Sequence, residues 1–306
     1  MQSNRFYPQV KLMLRCIPAI AQETCFALKG GTAINLFVRD MPRLSVDIDL
    51  AYIPLESREV SLANISAALQ RISQAIKKSI PNSKIQETKS IGKDPRTIKL
   101  VVSHDEQTVV IEPNEVIRGS VFGTKQRSLV EKAEKTFEMS AKISVLELSD
   151  LYGGKLCAAV DRQHPRDIFD VKILMENEGI TDEIRKAFIV YLAGHPRPMN
   201  ELIDPPRKNI AKIYESDFVD MAETSVTLDE LIKTRETYIQ LLKKEMTNDE
   251  RQFLLSLKQG SPDWALLGVS GVEKLPSIQW KLANIQKMDS AKHKKSIAAL
   301  KAKLDL

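Results

Sequence analysis

Lys29-Gly30-Gly31-Thr32 and, further along, Ser45-Val46-Asp47-Ile48-Asp49-Leu50 decide how this chain is read. The first stretch follows an apolar run, Cys25-Phe26-Ala27-Leu28, with the length and composition of a short buried strand. After it, Ala33-Ile34-Asn35-Leu36-Phe37 reads as the start of a helix. A Gly-Gly-Thr corner between strand and helix lets backbone N–H groups approach an anion, and the helix N-terminus adds positive potential. The second stretch alternates polar and apolar residues. On a strand, Asp47 and Asp49 therefore share one face, while Val46, Ile48 and Leu50 share the other. Two carboxylates about 7 Å apart along a strand repel unless a cation lies between them. Magnesium is the expected cation, because it takes hard oxygen ligands and is usually shared with substrate phosphates.

A phosphate cradle beside a metal-binding carboxylate pair describes phosphoryl or nucleotidyl transfer. Such a site usually draws a third carboxylate from a neighbouring strand. Ile98–Val102 and Thr108–Glu112 are two β-rich runs joined by a polar link, and they read as a hairpin. Glu112 closes the second run before Pro113 ends the pairing. Its carboxylate either completes a metal site with Asp47 and Asp49 or takes the proton from an attacking hydroxyl. Singly, a glycine pair before a helix or an Asp-x-Asp on a strand is common in proteins without such a site. The conjunction carries the reading; Glu112 alone reads more readily as a surface charge at a strand end.

These residues resemble the nucleotidyltransferase fold of the DNA polymerase β type. The longer pattern Leu28–Leu36 followed by Arg43–Leu50 resembles the AbiEii/AbiGii toxin family, with MenT-like toxins as relatives. A second block strengthens the resemblance: Lys155, Ala158, Arg162, Arg166, Asp167 and Asp170 match the family's Lys, small residue, Arg and Arg-Asp-x-x-Asp in order. The family's middle motif, Lys-x-Asp-x-x-x-Lys/Arg, fits poorly. Glu112 replaces its acid, Val110 stands at its Lys, and the nearest downstream base is Arg118. The resemblance implies a nucleoside triphosphate held by Gly30, Gly31, Thr32, Ser45, Lys155 and Arg162. It implies magnesium on Asp47, Asp49 and Glu112, and chemistry by Asp47, Asp49, Glu112, Lys155 and Asp167. It further implies a toxin of a toxin–antitoxin or phage-defence system, with RNA as acceptor (the 3′ end of tRNA being the candidate), blocked translation, and an antitoxin encoded nearby that need not bind directly.

Read physically, the second block is a helix with Leu151, Lys155, Ala158 and Arg162 on one face. Pro165 breaks it, and Asp167 and Asp170 follow one turn apart. Lys155 and Arg162 on that face could clamp β- and γ-phosphates. The alternative is a structural ion-pair cluster of Arg162, Arg166, Asp167 and Asp170 joining two helices.

The 306 residues can bury a substantial core and divide into two parts. A charged fraction of 28% beside 43% hydrophobic residues is that of an ordinary soluble protein. No apolar stretch approaches membrane-spanning length and the N-terminus has no apolar signal core, so the expected location is the cytosol. Cys16, Cys25 and Cys157 and the scattered histidines form no metal-type spacing, which argues against zinc. The net charge is +5, and the basic excess gathers at the end of the chain. There Lys281, Lys287, Lys292, Lys294, Lys295, Lys301 and Lys303 face only Asp289 and Asp305. With Ile297, Leu300 and Leu304 at helical spacing, the lysines form either a solvated face or one that attracts a phosphate backbone.

The expected fold class is α+β: a small mixed sheet with helices forming a nucleotidyltransferase core over 1–120, then a mainly helical domain over 121–306. Periodicity predicts helices over 8–23, 32–39, 61–80, 144–160, 166–176, 181–192 and 228–256, the last opened by a capping box at Thr227-Leu228-Asp229-Glu230. Two other functions stay open: transfer to a small molecule or a protein side chain, and a non-catalytic module that holds RNA.

Overall fold

Phe26, Ala27 and Leu28 are shielded from water, and the strand they form, β1 (Phe26–Lys29), ends where Gly30 turns the chain. The computed structural model describes residues 4–92 and 94–306. Its first compact unit runs to Glu147 and takes back Val219–Ser225. Here β1 pairs antiparallel with β2 (Ile48–Tyr52), so the glycine corner at the end of β1 meets the acidic start of β2. The other strands are β3 (Lys84–Lys89), β4 (Thr97–His104), β5 (Gln107–Pro113), β6 (Thr124–Ser128) and β7 (Lys142–Leu146). Among the described residues they form one mixed sheet in the order β3-β4-β5-β2-β1-β7-β6. Pairs β2/β5 and β1/β7 are parallel and the rest antiparallel.

Helices α1 (Tyr7–Ala21) and α3 (Arg58–Ser79) pack on this sheet. Val10, Met13, Leu14 and Ile17 of α1 and Ile65, Leu69, Ile72 and Ile76 of α3 are fully buried, each removing roughly 1.5–3 kcal/mol worth of apolar surface from water. Ser57 caps α3 through the Val60 N–H. The helix expected over 32–39 begins as α2 (Gly30–Ala33) and widens into a π-turn at Ile34–Val38. There the Arg39 N–H reaches back five residues to Ile34 O, and Asn35 Nδ2 donates to Gly31 O at 2.9 Å.

The core does not stop at residue 120. Ser144, Val145 and Leu146, expected in a helix, belong to β7, with Val145 beside Leu28 of β1. β6 closes that edge, and α4 (Glu131–Phe137) links the two strands. The first unit therefore extends to Glu147, because the partner that β1 needs on its free edge lies beyond the expected boundary.

The second unit comprises Leu148–Phe218 and Val226–Leu306. It is helical: α5 (Leu148–Arg162), α6 (Pro165–Glu176), α7 (Asp182–Ala193), α8 (Met199–Ile203), α9 (Ala211–Asp217), α10 (Leu228–Glu245), α11 (Asn248–Gln259), α12 (Pro276–Gln286) and α13 (Ser290–Lys303). Helix α5 lies in the middle, packed on α6, α7 and α8. The single helix expected over 228–256 is two. Met246 leaves the helical conformation, and Thr247 and Glu250 form a second capping box beside the one at Thr227 and Glu230. Among the described residues no helix is long and apolar enough to cross a membrane.

Candidate active site

The glycine corner is shaped by what lies against it. Gly30 has φ +73°, and a Cβ there would sit 2.4 Å from Asp49 Oδ2. Gly31 faces the next residues of the same site: its Cβ would come within 2.6 Å of Arg43 Nη2 and 3.0 Å of Ser45 Oγ. Glycine at both positions is thus what lets the Asp49 carboxylate and the Arg43 guanidinium touch backbone. Thr32 closes the corner. Its Oγ1 lies 2.5 Å from the Asp47 carbonyl, which accepts its proton, and 3.0 Å from Ser45 Oγ. Asp47 is therefore tied by its backbone to the corner, and Asp49 by its side chain.

The register of the sheet sets the neighbours of Asp49. Lys29 on β1 lies opposite it, and Glu112 on β5 lies beside it on the other flank. Glu112, expected at the end of its hairpin strand either to complete a metal site with Asp47 and Asp49 or to take a proton, thus adjoins Asp49 in register. Asp49 and Glu112 are both exposed. Lys99 Nζ on β4 stands 3.4 Å from Glu112 Oε2.

The expected three-carboxylate metal cage is not assembled. Among the described residues no three His, Cys, Asp or Glu side chains gather closely enough to hold a metal ion, and the Glu112 carboxylate turns towards Lys99 instead. Asp47 and Asp49 still fit magnesium arriving with a triphosphate. That ion keeps several waters and takes one or two protein carboxylates, the phosphates supplying the rest.

Arg43, to which the sequence alone assigns no role, opens the motif stretch that carries Asp47. It is buried, with Nη1 donating to Leu44 O at 2.8 Å. Its backbone is held by the returning segment: Leu44 N–H donates to Met221 O, Glu223 N–H donates to Pro42 O, and Arg43 bridges Ala222. The only local signal was a base between corner and carboxylates.

In the second unit, Lys155, Arg162, Asp167 and Asp170 converge, but as an ion cluster. Lys155 Nζ lies 2.8 Å from Asp167 Oδ1 and 3.0 Å from Asp170 Oδ2, with all three side chains buried. Arg162 grips the same Asp167 through Nε and through Nη2 at 2.9 Å, while staying 61% exposed. Burial by itself would raise the Asp167 pKa, but Lys155 and Arg162 override it and hold the carboxyl well below the usual range. Lys155, expected to clamp phosphate, is here engaged by Asp167 and Asp170. Its charge is spent on two buried carboxylates, which would be left bare if it moved. Asp167, paired with both Lys155 and Arg162, is held in its charged form. The cluster fastens α5 to α6.

A strand, a Gly-Gly-Thr turn and a short helix facing an Asp-x-Asp at the start of a strand in a mixed sheet are the parts of a nucleotidyltransferase. More narrowly, the chain belongs to the AbiEii nucleotidyl transferase toxin family of type IV toxin–antitoxin systems, whose family model matches residues 11–284. It is therefore a nucleotidyltransferase toxin, and its family implies a nucleotide substrate and a cognate antitoxin. Among solved structures it is similar to MenT4, a nucleotidyltransferase toxin from Mycobacterium tuberculosis. The TM-score is 0.58 at 13% identity, over 93% of this chain and 95% of that one. At that identity the likeness concerns the fold. No curated protein sequence matches.

Proposed function

We propose that the protein transfers a nucleoside monophosphate from a magnesium-bound triphosphate to a hydroxyl of RNA, with the 3′ end of tRNA as the leading acceptor, and thereby blocks translation in the cytoplasm. The observation that carries this is the contact of the Asp49 carboxylate with Gly30 at a corner that Thr32 ties to Asp47. Backbone N–H groups of the corner and Ser45 hold the phosphates. Asp47 and Asp49 hold the magnesium, which would screen the triphosphate's charge and align it for in-line attack. The acceptor oxygen forms its bond to the α-phosphorus as the α–β bridging bond breaks, and pyrophosphate leaves. Glu112, exposed and beside Asp49 in register, takes the acceptor's proton; Asp167, buried and doubly paired, does not.

RNA is favoured over a small acceptor by the end of the chain. Lys287, Lys292, Lys294, Lys295 and Lys301 are exposed and carry no ion pair among the described residues. A small-molecule enzyme has no use for such a face. Incubation with each labelled triphosphate, magnesium and total RNA, resolved on a gel, should label a discrete RNA, and Asp49→Ala should abolish both label and growth arrest. Label found only in a small molecule or a protein would replace RNA as the acceptor. Undiminished toxicity of Asp49→Ala would leave a binding module in place of an enzyme. Arrest relieved by the antitoxin without a stable complex would fit a type IV system that also serves phage defence.

A further inference from the structure

Arg118 lies at the far end of the first unit's sheet from the glycine corner, and it is oddly placed for a charged residue. It is 5% exposed, and its Nε and Nη1 are buried with no hydrogen-bond partner among the described residues. A buried guanidinium without acceptors costs several kcal/mol, and protein interiors rarely leave one so.

The placement is imposed by a fastened loop. Beyond β5, Asn114 N–H donates to Leu50 O, and Asn114 Oδ1 accepts from the Val116 and Ile117 N–H groups at 3.0 and 2.7 Å. Gly119, at φ +80°, donates its N–H to Tyr52 O at 2.7 Å. Arg118 is pinned between these ties beside the last residue of β2. Tyr52 is three residues past Asp49, about 10 Å along the strand, and its side chain takes the other face of the sheet.

The acids that could pair with Arg118 do not. Glu56 Oε2 is taken by Tyr52 Oη at 2.7 Å and by Asn64 Nδ2 at 3.1 Å. Glu115 interacts with Arg118 only through the field. The strongest charge acting on Arg118 is another cation, Arg58, in the first turn of α3. Burial and Arg58 together lower the Arg118 pKa. Two guanidinium groups therefore lie near the N-terminus of a 22-residue helix, whose dipole adds positive potential, and the more buried of them has N–H groups aimed at nothing.

We propose that Arg118, with Arg58 and the N-terminus of α3, forms a phosphate-binding site separate from the catalytic corner. The ligand is a phosphate oxyanion, carried either by free phosphate or by the backbone of RNA. Arginine suits it because its planar fork matches phosphate oxygens.

Thermal unfolding in EDTA, which keeps divalent ions off the Asp47–Asp49 pair, tests this with two probes: inorganic phosphate and an RNA oligonucleotide with a 5′-hydroxyl end. With probe at about 100 times its Kd, the full-length protein should gain about 4 °C in Tm. Asp49→Ala should gain the same, and Arg118→Met should gain nothing from phosphate and less than the native protein from RNA, which α13 still holds. An Arg118-dependent gain from phosphate identifies the free ion as sufficient; one from RNA alone identifies the backbone as the source. Equal gains in the native protein and Arg118→Met, or no gain in either, overturn the proposal. Should Arg118→Met fail to fold, Arg58→Ala decides: it alters an exposed side chain and should weaken the probe's affinity several-fold, and unchanged affinity overturns the site. Neither outcome depends on catalysis, so loss of this site and loss of the transferase reading are read separately.

Discussion

Single residues at the corner bear geometry that no larger side chain can supply. Gly30 combines a left-handed backbone with contact to Asp49 Oδ2. Gly30→Ala should cost about 1–2 kcal/mol of stability from the backbone conformation alone. It should also push Asp49 aside, lowering kcat/KM for transfer about a hundredfold; labelled-nucleotide transfer and Tm measured together check both. The two effects come from different atoms, the new Cβ against the carboxylate and the strained φ. A variant that loses stability and keeps full activity would show that Asp49 need not touch the corner. The sequence pointed to glycine here for anion approach. The structure adds a second reason, the carboxylate itself packed on the glycine Cα.

At the level of elements, the contact of α5 with its neighbours can be broken in two distinct ways. Lys155 joins α5 to α6 through two buried carboxylates. Lys155→Met removes one cation and strands both acids, so it should cost about 3–5 kcal/mol in denaturant unfolding. Acidity gives the sign. The folded state binds a proton at Asp167 less readily than the unfolded chain, whose pKa is near 3.8. Stability from this group is therefore complete above that value and drains away as the pH falls below it. In Lys155→Met the Asp167 carboxyl loses its main counter-charge, and acid unfolding should begin at higher pH; Tm measured from pH 3 to 7 shows it. The crossing of α5 with α7 depends instead on Gly153. A Cβ there would lie 2.5 Å from Ala187 Cβ and 2.8 Å from backbone atoms of Ala187 and Phe188, whereas one at Gly154 meets nothing within 4 Å. Gly153→Ala should therefore destabilise by about 1–3 kcal/mol. Gly154→Ala should be neutral or stabilise by about 0.4–1 kcal/mol through the unfolded chain. The two adjacent glycines look alike in sequence, and only the neighbouring helix tells them apart.

Over the whole molecule, charge is the property that bears on the acceptor. Helix α13 lies past the residues matched by the family model. It turns Leu300 and Leu304 inward, and His293 bonds to Lys258 O through Nε2 at 2.7 Å. Lys292, Lys294 and Lys295 are left in solvent. Reversing these three to glutamate leaves the packed side untouched, so folding should be unchanged. RNA affinity should fall, and the slope of log K against log salt should shrink by about 2, given roughly 0.7 per phosphate neutralised on a single strand. Filter binding between 50 and 200 mM salt measures it; an unaltered slope would show that RNA does not use this helix.

What was legible in the sequence is what short-range chemistry controls. The apolar run before Gly30, most of the periodic helices and the Thr227 capping box act within a few residues and are found close to where periodicity put them, whereas the strand expected through Asp47 begins only at Ile48, residues 144–146 are strand, and the helix expected over 228–256 is two. Pairing across the chain decided the rest. β6, Thr-Lys-Gln-Arg-Ser, has no apolar alternation and is a strand only because β7 offers it a partner. Residues 219–225 join the first unit because Met221 and Ala222 meet the Arg43 segment. Lys155 could have read as a phosphate clamp or a buried tie, since its spacing to Arg162 is the same either way. The outcome turned on Asp167 and Asp170 coming within 3 Å of it, a matter of how two helices dock. Local sequence fixes which groups share a face; burial, register and counter-charge belong to contacts between segments far apart in the chain, and these determine what each group is free to do.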